Sequence, residues 1–406
     1  MSPRIAFFSD SFHEVNGVAH TSRHFDAFAR KRALPFFSIH AGPRTELRDE
    51  GPVWTMELKR SGAAFKLETD MSFDLLFTRY RRRMRELLKT FRADLVHITG
   101  PSDVGILGAL LAHDLKLPLV ASWHTNIHEF GARRLSKLLA FLPTSARDGM
   151  ARFTEQQIIL AVSLKYYRLG RVLLAPNPEL VDLLNRRTGR PTFLMQRGVD
   201  TEFFSPEKRT RCDGQLVIGY VGRLSPEKSV RTLRDVEQAL LSAGIGNFRI
   251  TVVGDGHEQE WLRANMQHVE LTGVLHGEEL AAAYADMDIF AFPSHTDTYG
   301  NVVLEALASG VPVVVTAAGG PKYLVTHGGT GLVSADTQAF IGNVLALARD
   351  RDAVQRMRVR AREFALCRYW HRIFEQVYDA YEYCLRAGRR VPVRSAASAK
   401  PKPTWA

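Results

Sequence analysis

Cysteine is scarce: Cys212, Cys367 and Cys384 are the three in 406 residues, and they stand far apart. Such spacing offers neither a disulfide framework nor a zinc site, and it suits a reducing compartment. Long hydrophobic runs are missing too. No stretch reaches the roughly 18 apolar residues that a membrane span requires. The opening MSPRIAFFSDSF has only a short apolar run, which reads as a first strand and not as a signal peptide. A cytoplasmic protein is expected. Repeats and low-complexity blocks are also lacking, apart from an Arg-, Lys-, Ser-, Ala- and Pro-rich tail over 389–406, which is expected to be disordered.

What charge there is lies unevenly. Residues 1–200 carry 30 Lys and Arg against 20 Asp and Glu, whereas residues 201–388 carry 19 against 23. A basic front half joined to a mildly acidic rear half argues against a general polyanion binder. It points to one face that meets a negatively charged surface or substrate. The length exceeds what one hydrophobic core usually supports, so two domains are expected.

Short β-rich runs alternate with helical patterns, as in parallel α/β domains. Strands are expected at Arg4–Ser9, Pro35–His40, Asp94–Ile98, Pro118–Trp123 and Arg171–Ala175 in the first half. In the second they are expected at Leu216–Val221, Phe248–Val253, Asp288–Phe292 and Val311–Val315. Helices are expected at Thr21–Arg32, Phe73–Arg92 and Asp103–His113. The boundary falls near Asp200–Gly214, giving domains of 1–200 and 201–366. An aromatic helix, Cys367–Leu385, follows within a third segment, 367–388.

The segment PSHTDTYGNVVLEALASGVP, Pro293–Pro312, carries the strongest chemical signal. A strand ends, a polar loop follows, Gly300 permits a tight turn and a helix opens near Asn301, to be closed at Gly310 and Pro312. Asp297 lies just ahead of that helix and Glu305 just inside it. Free N–H groups and the helix dipole there suit a diphosphate, and carboxylates suit sugar hydroxyls. Complementing the helix dipole is the plainer role for both acids. In IGYVGRLSPEK, Arg223 and Lys228 follow a strand end, where two cations can neutralise a leaving diphosphate or simply face solvent. DSFHEVNGV places Asn16-Gly17 in a turn after the first strand, with the Gly17 N–H open to phosphate. His124 follows the strand LPLVASW, placed to meet a sugar through its carbonyl or its ring. His128 stands four residues later, but no HExxH glutamate accompanies the pair. The VGDGH turn, with Gly254, lacks the third glycine of a dinucleotide fingerprint.

An acidic residue, seven intervening residues and Glu, embedded in TDTYGNVVLEALASGVPVVV, resembles the signature of family 4 glycosyltransferases. That likeness covers residues 1–385, with the motifs in the family's order. It implies the GT-B fold, two Rossmann-like domains about a central cleft, with a C-terminal helix crossing back to the first. It also implies retaining transfer of a hexosyl unit from a nucleoside-diphosphate sugar. By resemblance, Asp297 contacts the donor sugar, the backbone at Gly300, Asn301 and Val302 binds its hydroxyls, and Glu305 holds the ribose. Arg223 and Lys228 grip the diphosphate, the loop at Asn16-Gly17 closes over it, His124 meets the sugar, and Gly254 and Val274 border the base. The family more often has Glu where Asp297 stands. Its frequent Gly-His pair is replaced by Arg32-Ala33-Leu34, and Lys322 stands near a frequent Glu, so Gly319–Val333 receives no role.

No DxD motif stands at a strand's carboxyl end in a suitable place, so transfer without a metal cofactor is expected. The pattern is similar to phosphatidylinositol mannosyltransferases and sulfoquinovosyl-diacylglycerol synthases, which implies GDP-mannose or a UDP-sugar as donor and a lipid or glycolipid acceptor. Arg79–Arg92 carries six Arg and one Lys against one Glu, with Tyr80, Met84, Leu87, Leu88 and Phe91 at helical spacing. That reads as a basic amphipathic helix for an anionic membrane surface, or as a solvated charged face whose apolar residues pack on the sheet. A non-catalytic nucleotide-sugar binder and a transferase with a soluble saccharide acceptor are the alternatives. A nucleic-acid binder rests on the pI of about 9.7 alone and is not expected. The oligomeric state is left open.

Overall fold

Apolar, β-branched runs form most of the strands expected of them, and helices cover the resulting sheets. The computed structural model describes residues 2–14, 16–68, 71–124 and 150–389. The tail from 390 onward, with Thr125, Asn126 and His128, lies outside the described residues.

The first sheet is built from β1 (Ile5–Ser9), β2 (Phe36–Gly42), β3 (Glu46–Glu50), β4 (Val53–Lys59), β7 (Leu95–Ile98), β8 (Leu119–Ser122), β9 (Val172–Ala175) and β10 (Thr192–Leu194). Their order is β10-β9-β8-β7-β1-β2-β4-β3. All pairs are parallel except β3 with β4. A separate hairpin joins β5 (Ala64–Glu68) to β6 (Met71–Asp74). The second sheet runs β13-β12-β11-β14-β15-β16, wholly parallel. It comprises β11 (Leu216–Val221), β12 (Phe248–Val253), β13 (Val269–Gly273), β14 (Ile289–Phe292), β15 (Val313–Thr316) and β16 (Gly331–Ser334). In each sheet the strand order reverses beside the first strand, at β1/β7 and at β11/β14. Open α/β sheets bind ligands at such switch points, outside the carboxyl ends of the strands.

Helices named below are α1 (Gly17–Lys31), α2 (Arg81–Phe91), α3 (Asp103–Leu115), α4 (Met150–Tyr167), α5 (Pro178–Thr188), α6 (Thr232–Ser242), α7 (Gln259–Asn265), α8 (Gly277–Ala285), α9 (Asn301–Ala308), α10 (Thr337–Arg349), α11 (Arg351–Leu366) and α12 (Trp370–Arg389). The second sheet and its helices share one apolar cluster. One face of the first sheet packs on α2, α3, α4 and α5. The other face is closed by α1 and by α12, which returns from the far end of the chain. Phe374 of α12 stacks on Phe25 of α1 at 4.4 Å, and Trp370 stacks on His24 at 4.7 Å. Burying such rings contributes about 1.5–3 kcal/mol each.

Three expectations need correction. The helix expected from Phe73 begins only at Arg81. Phe73 is paired with Phe65 in the hairpin, and the Asp74 carboxylate then accepts Ser61 N at 2.8 Å and Leu76 N at 2.9 Å, which turns the chain. Asn16-Gly17 is a helix start, not a free turn. Asn16 is extended (φ −148°) and its Oδ1 caps α1 by accepting Val18 N and Ala19 N. The apolar stripe of α2 is spent inside the protein. Met84, Leu88 and Phe91 are at most 1% exposed, and Phe91 packs on Phe37 and Trp54.

Candidate active site

The switch point of the second sheet places two loops side by side. After β11 the chain passes Gly222 and Arg223 into a short 3-10 turn, Pro226–Lys228. After β14 it forms the loop 293–300 and enters α9. Lys228 Nζ joins the two loops, donating to both Asp297 oxygens at 2.7 Å. Arg223, exposed at the rim, offers its carbonyl to Tyr220 Oη at 3.0 Å.

Gly300 holds a left-handed conformation (φ 93°, ψ 63°), and no side chain caps α9. The carbonyl of Gly300 accepts Val303 N and Leu304 N, and the amides of Asn301 and Val302 lie in the uncapped first turn. This end of the helix therefore presents donors and a positive dipole. Opposite stands Gly17 of the first half. A Cβ built there would lie 3.2 Å from Asn301 Nδ2, so the glycine permits the two helix starts to approach.

Glu305 sits within α9, where its Oε2 accepts Tyr284 Oη of α8 at 2.7 Å. Burial pushes its pKa up, and the tyrosine bond works against that shift. Gly254 packs on the end of β11, where a Cβ would overlap the Gly222 carbonyl oxygen. Val274 follows β13 and is 55% exposed, an apolar side chain left at the surface.

His124 takes a different place from a freely projecting ring. Its Nε2 lies 2.6 Å from Ser122 Oγ, and its Nδ1 accepts from Arg197 Nη2 at 2.6 Å. Arg197 can only donate, so the imidazole carries its proton on Nε2. Burial first, then Arg197 and His97, hold its pKa well below the usual histidine value. Ser122 Oγ lies 2.9 Å from His97 Nε2, and His97 Nδ1 lies 2.6 Å from Tyr381 Oη of α12. With both ring nitrogens engaged, the His124 group that meets the second half is its carbonyl, which accepts Thr298 Oγ1 at 3.0 Å.

Several residues here carried no signal in the sequence. Thr298 joins the halves twice, since its carbonyl also accepts Asn177 Nδ2 at 2.8 Å. Tyr299 Oη donates to the Arg197 carbonyl at 3.0 Å. Gly319 and Gly320 lie directly beneath the acidic loop: Gly320 N donates to Asp297 O at 2.7 Å, and a Cβ on Gly320 would overlap the Thr298 carbonyl. The glycine pair after β15 was the one available clue. In the first half Asp10, just after β1, accepts Ser102 Oγ at 2.6 Å, and burial pushes its pKa up to about 7.

The models of two families match the chain: Glycosyltransferase Family 4 over residues 46–203 and Glycosyl transferases group 1 over residues 215–350. A GDP-mannose-dependent alpha-mannosyltransferase of Mycobacterium tuberculosis (strain CDC 1551 / Oshkosh) is 33% identical over 310 residues, 74% of this chain and 75% of that one. The chain belongs to glycosyltransferase family 4. A sulfoquinovosyl transferase of Arabidopsis thaliana is 32% identical over 292 residues, 67% of this chain and 53% of that protein. Among solved structures, sucrose-phosphate synthase from Thermosynechococcus elongatus superposes with a TM-score of 0.71 at 17% identity, covering 95% of this chain and all of that one. The shared fold is the two-domain GT-B arrangement, and this transferase is a hexosyltransferase.

A direct test concerns the Lys228–Asp297 bridge. Lys228→Ala and Arg223→Ala are each expected to weaken nucleoside-diphosphate binding by about 1.5–3 kcal/mol, as for a lost charge-assisted contact. Calorimetric titration with GDP and UDP measures it. Parent affinity in both variants removes these residues from the site.

Proposed function

We propose that this transferase moves a mannosyl unit from GDP-mannose to a hydroxyl of a membrane lipid or glycolipid, with retention of configuration. The carrying observation is the Lys228–Asp297 bridge facing the uncapped start of α9. Donor binding gives Lys228 a phosphate partner. That releases both Asp297 oxygens to accept sugar hydroxyls. Arg223, Lys228, the first amides of α9 and the Gly17 N–H then face the diphosphate as its charge grows on leaving. These groups supply positive charge without calling on a metal. The acceptor hydroxyl attacks from the same face and passes its proton to the departing phosphate oxygen. Glu305 holds the ribose through the oxygen not taken by Tyr284, and Gly254 and Val274 border the base.

GDP-mannose is favoured over a UDP-sugar by the mannosyltransferase relative. A panel of sugar nucleotides tests this by donor hydrolysis and transfer. GDP-mannose is expected to give the highest kcat/KM, with Asp297→Ala lowering mainly kcat. Preference for a UDP-hexose contradicts the donor assignment.

A lipid acceptor is supported by a surface other than the stripe of α2. Leu75, Leu76 and Phe65 are 61%, 53% and 46% exposed, and they stand on the hairpin and the turn that lead into α2. Arg82, Arg83 and Arg85 are exposed on that helix, whereas Arg81 donates to both Asp114 oxygens at 2.7 and 2.6 Å. Apolar anchors beside basic residues suit an anionic bilayer, each cation contributing about 1 kcal/mol. None of the described helices is long and apolar enough to cross a membrane. Co-sedimentation with vesicles measures the attachment. Binding is expected to require anionic lipid, to fall with salt, and to drop when Arg82, Arg83 and Arg85 become Gln. Indifference to lipid charge points to a soluble acceptor.

A further inference from the structure

The first half holds a cluster of ligating side chains that the transfer step proposed above leaves without a role. β2 and β4 are parallel neighbours, and their register sets His40 directly beside Glu57. The loop after β1 brings His13 over this pair. One ligating atom from each of His13, His40 and Glu57 lies within 4.8 Å of the others. His13 Nε2 is 3.5 Å from Glu57 Oε1.

The buried imidazole is set as a metal-bound histidine would be. His40 is 1% exposed, and its ring is stacked on Phe12 at 3.9 Å with the planes 3° apart. Its Nδ1 lies 3.3 Å from the Ala41 carbonyl, which can only accept, so the proton belongs on Nδ1. Nε2 is then a bare lone pair, and it is buried without a hydrogen-bond partner. A backbone carbonyl that fixes the tautomer is the usual support behind a metal-bound imidazole, whereas an orphaned buried nitrogen is costly.

We propose that His13, His40 and Glu57 bind a divalent transition-metal ion of the zinc class. Two imidazoles and a carboxylate are the donor set that zinc takes when a fourth position stays open to water or substrate. Tetrahedral bonds of about 2.0–2.2 Å bring ligand atoms to about 3.3 Å apart. His13, half exposed on its loop, supplies the movement that closes the larger gap. Arg48 Nη2 donates to Glu57 Oε1 at 3.0 Å and meets its charge before metal binds. That arginine is itself 47% exposed, free to turn to solvent once the cation takes over. The Glu57 carboxylate leans over Gly42, where a Cβ would stand 2.7 Å from Oε2. The ion would pin the loop after β1 against the sheet, and that loop leads into Asn16 and Gly17. The site belongs to the acceptor half, and it stands whichever nucleotide proves to be the donor.

The test uses the full chain, stripped with chelator and titrated with zinc against a chromophoric competitor. Cobalt(II) serves as a second probe, since its visible bands strengthen on leaving octahedral water for a four-coordinate site. The parent is expected to take up one equivalent and to melt at a higher temperature with it. His13→Ala and Glu57→Gln are each expected to weaken binding by on the order of a hundredfold. Gly42→Ala, which removes no ligand but displaces the carboxylate, is expected to weaken it by about tenfold. His13 is half exposed, so its loss leaves the core intact. Absence of stoichiometric uptake overturns the proposal. So does parent affinity in His13→Ala and Glu57→Gln, which would put the zinc elsewhere, for example on His20 and His24, whose Nε2 atoms lie 3.2 Å apart on α1.

Discussion

The proposed donor site depends on one constraint: the loop 293–300 has to lie in a single conformation that holds the Asp297 carboxylate and the following helix start toward the cleft. Beyond the left-handed Gly300, the loop is held from outside. Gly319 and Gly320 contribute most directly, because their lack of side chains lets the backbone after β15 press against Asp297 and Thr298, with Gly320 N bonded to Asp297 O. Gly319 also takes a left-handed φ of 70°, which L side chains rarely adopt. Lys228 then fixes the Asp297 side chain from the neighbouring strand end. An ion pair of this kind, its side chains 19% and 22% exposed, is weak evidence for stability, but it sets where charge sits before the donor arrives.

The same loop also joins the halves. Thr298 bonds outward to His124 and Asn177, and Tyr299 reaches Arg197. Behind His124 the polar contacts continue through Ser122 and His97 to Tyr381 on α12. The returning helix is thus connected to the carbonyl that faces the acidic loop. Buried networks of this sort rigidify when every member is satisfied. His124 consequently acts as a neutral, fixed element whose backbone, not its ring, is turned to the second half.

The parallel sheets, the order of the motifs and the residues gathered at the second switch point were legible in the sequence. Their chemistry is written in short contiguous stretches that a strand, a loop and a helix place together by local geometry. What stayed hidden was long-range or lay against the usual patterns. Thr298 and His124 are 174 positions apart, Arg197 and His124 are 73, and neither Thr nor Arg announces a distant partner. The strand ELRDE, Glu46–Glu50, has no apolar alternation because it is an edge with most of its residues exposed. The helix pattern from Phe73 onward was misleading because cross-strand pairing and the Asp74 turn override propensity. Asn-Gly read as a turn, but the same Asn side chain serves equally well as a helix cap.

The most direct test of the central claim is the donor kcat/KM of Gly320→Ala, with Gly342→Ala as the control. A methyl at Gly320 overlaps the Thr298 carbonyl, whereas one at Gly342, within α10, meets open space. The account predicts a folded Gly320→Ala protein whose donor kcat/KM falls by on the order of a hundredfold, as when positioning is lost by about an ångström. Gly342→Ala should match the parent. Parent-like kcat/KM in Gly320→Ala would contradict the claim that this loop, held from beneath, positions the donor.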